Sequence, residues 1–308
     1  MTDMKTVIVS GATGFIGSYL VRELLKNGST VYGIGTDIAR LEGMNFGENF
    51  IPVTADFRVY DSLDRQIKAR DVDAFFHMAW CGGAVAALKD YQLQFTNAKA
   101  SCDAAMSAAR IGCRKFIFAG TINELEIAQF LRNEKTIPRN TNIYASMEVS
   151  ADITSRTISY NNHMDYCSAF IPLPYGVGYP ALNLINTVIK NCMENKPSRL
   201  IEGNNQYDIV HVSDIARALY LIGSKGRNMQ SYYIGHRKLR TFREIVCNIR
   251  DVVNKDAELR FGEYEDSLNM DYSYTDLDAL YRDTGFECTA DFEQTIREQA
   301  EYLKAINA

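Results

Sequence analysis

The amino-acid sequence predicts an α/β fold built on a doubly wound parallel sheet, and two observations carry this prediction. Through the first half of the 308-residue chain, short apolar runs alternate with stretches of helical periodicity, and the connections between them are short. This order forces the strands to pair in parallel and places helices on both faces of the sheet. The first apolar run also leads into three glycines and then into an amphipathic stretch, which is how a chain forms a dinucleotide-binding turn.

Residues 1–172 are therefore expected to form a dinucleotide-binding domain of the Rossmann type. Short apolar runs are interpreted as buried strands, and apolar residues recurring with a period of about 3.6 as helices. The predicted strands cover residues 6–10, 30–34, 50–54, 74–77 and 115–119, and the predicted helices cover residues 14–27, 61–69, 92–110 and 144–159.

Residues 173–308 are expected to form a smaller α/β lobe that binds the substrate, with some strands and helices returning to the first domain. The predicted helices here cover residues 183–193, 212–222, 242–253 and 291–306, and the strand-like pieces cover residues 208–211 and 232–234. No internal repeat, low-complexity tract or proline-rich linker separates the two parts. The two lobes are thus expected to share one folding unit.

The composition is that of an ordinary globular protein and excludes several classes of partner. Hydrophobic residues make up 46% of the chain and charged residues 23%, and 33 basic against 38 acidic residues give a formal charge of -5. Because like charges form no long run, binding to nucleic acid or to an anionic membrane is not expected. No apolar run reaches the roughly 18 residues of a membrane span and no signal peptide precedes the first strand, so a cytoplasmic protein is expected.

The cysteine pattern indicates reduced thiols. Seven cysteines are scattered along the chain without a CxxC pair. An odd number without paired spacing predicts neither a disulfide framework nor a zinc site. The histidines have no carboxylate or cysteine at metal-ligand spacing, so no metal site is predicted.

Three glycines with GxxGxxG spacing follow the first predicted strand and open the first predicted helix. Gly11 permits the tight exit from the strand, Gly14 lets backbone N–H groups approach a pyrophosphate, and Gly17 allows the helix to pack closely on the sheet. This context supports a dinucleotide site, whereas an isolated triplet would be weak support. The neighbouring residues expected to contact the same cofactor are Thr13, Phe15 and Ile16.

The end of the second strand bears on the choice between NAD and NADP. An acidic residue at this end binds the adenosine ribose hydroxyls and repels a 2′-phosphate. Here the strand ends at Gly35, followed by Thr36 and Asp37, so that Asp37 lies beyond the expected place, and Arg40 lies in the same loop. For both Asp37 and Arg40, a contact with the cofactor and a simple exposed position in the loop are equally consistent with the sequence. NAD and NADP both stay open, with a slight preference for NADP.

With these glycines as first anchor, the chain resembles the extended short-chain dehydrogenase/reductase family, whose NAD-dependent epimerases and dehydratases act mostly on nucleotide sugars. Segments similar to the family's adenine-contacting pair, cofactor-side turn and structural asparagine follow in order along the chain. A packing role is the alternative for the tryptophan of this set. The resemblance implies cofactor contacts at Asp56, Phe57, Met78, Ala79, Trp80, Asn97 and Pro172.

The resemblance extends to the catalytic residues. The segment 115–121 resembles the family's fifth strand, which ends in a catalytic serine or threonine, and Tyr144 follows at the family's usual distance. By this resemblance Thr121 would hold the substrate oxygen, and Tyr144 would donate or accept a proton. Residues 175–178 and 208–214 are similar to the family's YGPG turn and DFxxVxD segment.

One substitution changes the expected chemistry. Where the family has a lysine that lowers the phenol pKa, this chain has Glu148, one helical turn from Tyr144. Two unit charges about 5 Å apart at an effective dielectric of about 20 interact by about 3 kcal/mol, or roughly two pKa units. An ionised Glu148 therefore opposes phenolate formation and favours ketone reduction. Three alternatives stay open: Glu148 is protonated, acts as the general base, or is a solvated helix carboxylate.

Further substitutions concern the sugar-diphosphate site. Leu173 takes the place of a usual asparagine, and Tyr207 and Asp266 stand where arginines are usual. Losing two bidentate donors removes much of the expected diphosphate affinity. Arginines nearby in the sequence that could replace them are Arg199, Arg237 and Arg240.

Two functions are consistent with these features. The leading hypothesis is an NAD(P)-dependent oxidoreductase resembling nucleotide-sugar epimerases, dehydratases and 4-ketoreductases, with hydride transfer at a sugar carbonyl or hydroxyl carbon. The alternative is an NAD(P)-binding protein with attenuated or lost catalysis that acts as a sensor or partner subunit. The resemblance also implies a homodimer formed by the predicted helices 92–110 and 144–159.

Overall fold

The computed structural model describes residues 4–82, 86–132, 138–139, 141–179, 183–265 and 270–306. The strands are β1 Thr6–Ser10, β2 Thr30–Gly35, β3 Phe50–Thr54, β4 Ala74–His77, β5 Lys115–Thr121, β6 Asp165–Ile171, β7 Leu173–Tyr175, β8 Ser198–Ile201, β9 Gln206–Tyr207, β10 Ile209–His211, β11 Gln230–Tyr233, β12 Arg240–Thr241 and β13 Leu259–Tyr264.

The helices alternate with these strands through the first half of the chain. They are α1 Phe15–Lys26, α2 Ile38–Gly43, α3 Leu63–Gln66, α4 Tyr91–Ile111, α5 Glu124–Arg132, α6 Thr141–Asn161, α7 Leu184–Met193, α8 Val212–Lys225, α9 Phe242–Val253, α10 Ala279–Thr284 and α11 Phe292–Ile306. Short 3-10 turns lie at Phe57–Ser62, Ala87–Lys89 and Tyr272–Tyr274.

In the described part of the chain, seven strands form one parallel sheet in the order β11-β6-β5-β4-β1-β2-β3. Strand β1 lies in the middle of this sheet, where Ile8 is level with Tyr32 of β2 and with Phe75 of β4. The chain proceeds outward through β2 and β3, then crosses back to β4 and proceeds the other way. This reversal leaves a crevice at the carboxyl ends of β1 and β4, where open α/β sheets bind ligands. The predicted doubly wound fold is confirmed.

Aromatic rings pack across the central strands on one face of the sheet. Phe75 stacks on Phe116 with ring centroids 5.4 Å apart, and Phe116 stacks on Tyr166 at 6.1 Å. All three side chains are buried, and each such burial stabilises the fold by about 1.5–3 kcal/mol. Small residues of α4 pack in the same cluster, namely Ala98, Ala104, Ala105 and Ala108. These alanines therefore belong to the core of the chain itself.

The chain divides into two compact units. The first contains Met1–Ile171, Ile215–Ile234 and Tyr272–Phe286, and the second contains Pro172–Asp214, Gly235–Asp271 and Glu287–Ala308. Strand β11 lies late in the sequence but pairs with β6 at the edge of the large sheet. The first unit is thus assembled from separate stretches of sequence.

The second unit has its own core, formed by apolar faces of α7, α9 and α11. Ile189, Phe242 and Ile296 are buried in this cluster. Helix α9 begins with a capping box, in which Thr241 accepts a hydrogen bond from the Glu244 backbone and the Glu244 carboxylate accepts one from the Thr241 backbone. Strands β7 and β10 pair in parallel, with Leu173 level with Ile209.

One predicted helix differs from the structure, and some elements, including β6 and α5, were not predicted. The helix predicted over residues 61–69 is wrong, because a 3-10 turn over Phe57–Ser62 is followed only by the four-residue α3. The side chain of Asp56 accepts a hydrogen bond from the Arg58 backbone and so starts the turn upstream of the predicted helix. Helix α5 was not predicted, although its sequence is rich in Glu and Leu, which favour helices.

Among the described residues, no helix combines the length and apolar character needed to cross the bilayer. The same residues contain no group of three or more histidine, cysteine or carboxylate side chains placed to hold a metal ion.

Candidate active site

The turn between β1 and α1 is shaped by its three glycines. Gly11 has a φ of +68°, and a Cβ there would lie 3.1 Å from the backbone of Ala79. A Cβ on Gly17 would overlap the carbonyl oxygen of Gly11. Gly14 is exposed and forms the N-cap of α1 without a side-chain cap, so the first backbone N–H groups of the helix have no capping side chain. Such a turn can receive a phosphate group.

A buried polar network holds the end of β4 beside this turn. Ser10 Oγ accepts hydrogen bonds from the backbone N–H groups of Met78 and Ala79 at 3.1 and 3.3 Å. The same hydroxyl bonds His77 Nδ1, and His77 Nε2 bonds Ser101 Oγ, both at 2.9 Å. Burial lowers the pKa of His77 to about 3, so this histidine is neutral and structural.

The next residues are held by α4. Asn97 accepts a hydrogen bond from the Cys81 backbone N–H and donates one to the Cys81 carbonyl oxygen, each 2.9 Å long. The indole N–H of Trp80 donates to Gln94, and the Trp80 ring contacts the Tyr144 ring edge to face, with centroids 5.9 Å apart. Asn97 thus shapes the loop, and Trp80 packs against Tyr144.

The loop after β2 lies close to the glycine turn. Asp37 caps α2 by accepting hydrogen bonds from the Ala39 and Arg40 backbones, and the Arg40 guanidinium donates to the Thr13 carbonyl oxygen at 3.1 Å. Thr36, Asp37 and Arg40 are exposed. The Asp37 carboxylate therefore caps a helix. This role was not among the two considered from the sequence, which were a cofactor contact and an exposed loop charge.

The remaining predicted cofactor residues lie after β3, at the start of α1 and after β6. Asp56 and Phe57 follow β3, where Asp56 pairs with Arg58 and Phe57 contacts Tyr60 edge to face. Phe15 and Ile16, half-buried, open α1. Pro172 directly follows β6 and is the first residue of the second unit.

The three predicted catalytic residues lie together. Tyr144 on α6 lies within hydrogen-bonding reach of Thr121, at the end of β5, and of Glu148, one turn further along α6. Burial, followed by the charge of Glu148, raises the pKa of Tyr144 well above its usual value. Tyr144 is therefore present as the neutral phenol, the form that carries a proton.

Glu148 is not a solvated helix carboxylate, and that alternative is wrong. Only 2% of the residue is exposed, and its Oε2 atom has no hydrogen-bond partner among the described residues. Burial, together with the nearby Asp152, raises its pKa to about 8, although the hydrogen bond from Tyr144 works in the opposite direction. Glu148 is therefore predominantly protonated at neutral pH.

Sequence reasoning missed three charged residues around this site. Glu124 and Asp152 are each only 6% exposed, and Arg156 pairs with Asp152 at 3.2 Å. Asp152 and Arg156 continue the four-residue spacing from Tyr144 and Glu148, so that signal was present in the sequence. Glu124 had no such signal, because it reaches the site by accepting a hydrogen bond from the Thr121 backbone across a turn.

A cavity of about 280 Å³ lies within the second unit. Its cationic side chains include Lys238 and Arg240, and the Arg240 guanidinium lies 4.9 Å from the Phe292 ring centroid. Of the other two candidate arginines, Arg199 pairs with Glu263 and Arg237 with Glu287.

The positions that lack the family's usual polar residues have packing roles in this unit. Tyr207 contacts the Phe242 ring edge to face with centroids 5.6 Å apart, and Leu173 lies in β7. Asp266 lies outside the described residues.

A protein-family model described as the NAD dependent epimerase/dehydratase family matches residues 7–235, which include the glycine turn, β5 and α6. The chain belongs to this family. The predicted resemblance to the extended short-chain dehydrogenase/reductase enzymes is thereby confirmed, and the family is one of NAD-dependent enzymes.

Two curated relatives of this epimerase/dehydratase family member align over nearly their whole length. ADP-L-glycero-D-manno-heptose-6-epimerase from Pseudomonas aeruginosa strain UCBPP-PA14 is 23% identical, with 91% of this chain and 93% of the relative covered. dTDP-glucose 4,6-dehydratase from Neisseria gonorrhoeae is also 23% identical, with 97% and 95% covered. Both relatives carry the names of enzymes, so they lend no support to the alternative of a non-catalytic binding protein.

The fold agrees with a solved member. UDP-N-acetylglucosamine 4-epimerase from Methanobrevibacter ruminantium M1 superimposes with a TM-score of 0.79 at 20% identity, covering 99% of this chain and all of the other (100%).

The residues at the first unit's crevice fit the pyridine dinucleotide that the family implies. A Cβ on Gly17 would overlap the Gly11 carbonyl oxygen, and Gly14 is exposed at the start of α1. At the other end of the site, the buried Oε2 of Glu148 lacks a partner among the described residues and can hydrogen-bond with a hydroxyl group. The crevice therefore offers a turn that can receive a phosphate and a buried polar group beside Tyr144.

Proposed function

We propose that this protein is an NAD(P)-dependent reductase that converts a keto group of a nucleotide-linked sugar into an alcohol. The observation that carries the proposal is the contact of Tyr144 with Thr121 and Glu148 at the carboxyl end of β5. A neutral phenol can donate a proton to a carbonyl oxygen that is being reduced, whereas alcohol oxidation needs a proton acceptor. We propose the cytoplasm as the location of this activity.

The coenzyme would be held by the glycine turn, with its pyrophosphate at the N-terminus of α1. When bound, the reduced nicotinamide supplies the hydride. Of the two coenzymes, NADP is preferred over NAD in this proposal. Arg40 is an exposed cation beside Thr13, and the Asp37 carboxylate is already engaged as a helix cap. An exposed guanidinium can pair with a 2′-phosphate.

The proton step is assigned to two side chains. Thr121 would hydrogen-bond the substrate oxygen, and Tyr144 would give that oxygen its proton as the negative charge develops. Trp80 packs against the Tyr144 ring and limits its movement. Placing both groups on the ends of packed elements supplies the orientation that proton transfer requires.

Within the second unit, the candidates for binding an anionic group are Lys238 and Arg240. Both line the cavity of the second unit, and neither forms an ion pair with another described residue. Arg240 takes this role because Arg199 and Arg237 already pair with glutamates. That the named relatives act on nucleotide sugars supports this class of substrate.

The test of the proposed function is binding followed by turnover. Titration with NADPH and NADH should show that the protein binds both coenzymes, with NADPH the tighter. Addition of 4-keto-6-deoxy nucleotide sugars to the NADPH complex should then consume reduced coenzyme, as measured by its absorbance. Coenzyme binding without turnover of any keto sugar would contradict the proposal and favour the binding-protein alternative.

We also propose a homodimer formed by α4 and α6. Tyr91 and Phe95 on α4 and Ile153 on α6 are 58%, 59% and 60% exposed, which leaves large apolar side chains in water on both helices. Contiguous exposed apolar surface is typical of protein–protein interfaces.

Analytical ultracentrifugation should give twice the mass of one chain. Phe95→Asp should shift the protein toward the monomer, because the new carboxylate would be desolvated at the interface. Ile306→Asp is the matched control, since Ile306 at the end of α11 is also exposed (47%) but belongs to the second unit. A wild-type monomer at micromolar concentration would refute the dimer.

A further inference from the structure

Glu148 lies in a buried group of carboxyl side chains with too few cations to neutralise it. Glu124, Glu148 and Asp152 are all at most 6% exposed. The one basic side chain in contact with them among the described residues is Arg156. Three buried carboxyl groups that share one guanidinium cannot all be ionised without a large energetic cost.

Asp152 holds that guanidinium. Arg156 donates to Asp152 Oδ1, to the hydroxyls of Ser168 and Ser231, and to a backbone carbonyl. The Tyr166 hydroxyl also donates to Asp152 Oδ1 at 2.8 Å. Asp152 Oδ1 therefore accepts from two donors, and none of these hydrogen bonds of Arg156 reaches Glu148 or Glu124.

The other elements packed against α6 offer Glu148 no cation. On α4, Lys99 pairs with Asp103, and the half-buried Cys102 is an uncharged thiol whose pKa burial raises. Lys89 in the 3-10 turn beside α6 is exposed. On the β5 side the neighbouring groups are the Thr121 hydroxyl and Glu124, whose pKa is raised well above its usual value by burial and by the charges of Asp152 and Glu148.

Glu126 also belongs to α5, but it pairs with Arg139 and so does not add to the unbalanced charge. Within this buried group, Glu124 and Glu148 therefore remain as the two carboxyl groups without a cation among the described residues. Their protons are the only means of neutralising them there.

From this arrangement we propose that Glu148 is a carboxylic acid in the resting enzyme and returns a proton to Tyr144 in each turnover. The inference deepens the proposed function and depends on it. Glu148 stands at the position of the family's lysine but has a different role. The lysine supplies a positive charge, whereas Glu148 supplies a proton.

The proton transfers balance in two steps. First, the O–H bond of Tyr144 breaks and an O–H bond forms on the reduced substrate oxygen, which leaves the phenolate. Second, the O–H bond of Glu148 breaks and the O–H bond of Tyr144 re-forms, which leaves the Glu148 carboxylate. Glu148 then regains its proton from solvent before the next turnover. No oxidant or reductant is needed beyond the reduced coenzyme of the proposed reaction.

The first arm of the test reads the protonation state without coenzyme. Infrared spectra of the protein with labelled glutamate carboxyl groups should contain a carboxylic acid band that disappears with a midpoint near pH 8. Glu148→Gln should remove the component of the band that titrates near pH 8, Glu124→Gln should remove a different component, and the exposed control Glu301→Gln should leave both in place. A Glu148 that is already ionised at pH 6 would overturn the proposal.

The second arm measures keto-sugar reduction against pH. In the wild type, kcat should fall by about tenfold per pH unit above about pH 8, as the acid is lost. Glu148→Gln should be slower by about tenfold or more at pH 7 and should not show this fall, since an amide cannot supply the proton. Wild-type kcat in Glu148→Gln would overturn the relay, even if the infrared band confirms the acid.

The two arms separate failure of the relay from failure of the proposed function. If the wild type binds coenzyme but reduces no keto sugar, the proposed function fails, and the relay fails with it. If the wild type turns over and Glu148→Gln keeps the same pH profile, the relay alone fails. A merely structural role of Glu148 would lower kcat evenly at all pH values and leave the fall near pH 8 in place.

Discussion

Tyr144→Phe is expected to lower kcat for keto-sugar reduction by about 10²- to 10⁴-fold, the usual contribution of a positioned general acid. The substitution removes one hydroxyl group and keeps the ring that packs against Trp80. Coenzyme affinity should therefore change by no more than about twofold, because the glycine turn that binds the pyrophosphate is untouched. The measurement is steady-state kinetics combined with a fluorescence titration of the reduced coenzyme.

A matched control is available on the same helix. Tyr160 is 71% exposed near the end of α6, and Tyr160→Phe makes the same chemical change outside the site. Its kcat should equal that of the wild type. If Tyr144→Phe retained more than about a tenth of wild-type kcat, the proton would have to come from another group, and the assignment of Tyr144 would be wrong.

Glu148→Gln is expected to raise the free energy of unfolding by about 3–5 kcal/mol above pH 8 relative to the wild type. The pKa of Glu148 is about 8 in the folded protein, against an ordinary value of 4.5. Between these values the folded state keeps the proton and the unfolded state does not, so stability falls as pH rises, by about 1.4 kcal/mol per pH unit. The loss is complete above about pH 8.

Because glutamine is neutral at every pH, the variant should not show this part of the loss. Urea denaturation at a series of pH values from 5 to 9 measures the difference between the two proteins. Glu301→Gln, on the exposed side of α11, should follow the wild type throughout. Parallel curves for the wild type and Glu148→Gln would show that Glu148 is ionised in the folded protein, contrary to the expectation.

Much of the sheet could be predicted because its signals are local. The predicted bounds of β1, β3 and β4 agree with the structure, and those of α1 and α4 agree within a residue at each end. Apolar runs and helical periodicity are properties of neighbouring residues, so they can be recognised without knowledge of the fold. The glycine turn was predicted for the same reason, and a Cβ on Gly17 would indeed overlap the Gly11 carbonyl oxygen.

Two features of the structure were not specified by the sequence, for different reasons. The predicted helix at residues 61–69 is replaced by a 3-10 turn that Asp56 starts, and β11 adds to the first sheet although it follows the second unit's strands in the sequence. The turn depends on a local hydrogen bond of Asp56 to the backbone two residues on, whereas the place of β11 depends on pairing with a strand far away in the sequence.

The sequence by itself determined the fold class, the position of the dinucleotide turn and the identity of Thr121, Tyr144 and Glu148 as candidates for the chemistry. Only the tertiary structure decided the state of Glu148. The pKa of a carboxyl group depends on burial and on every charge around it, and Glu124 arrives from a turn after β5 while Asp152 takes Arg156 for itself. A change from lysine to glutamate in the sequence indicates a lost cation, whereas the folded site makes the same residue a neutral acid.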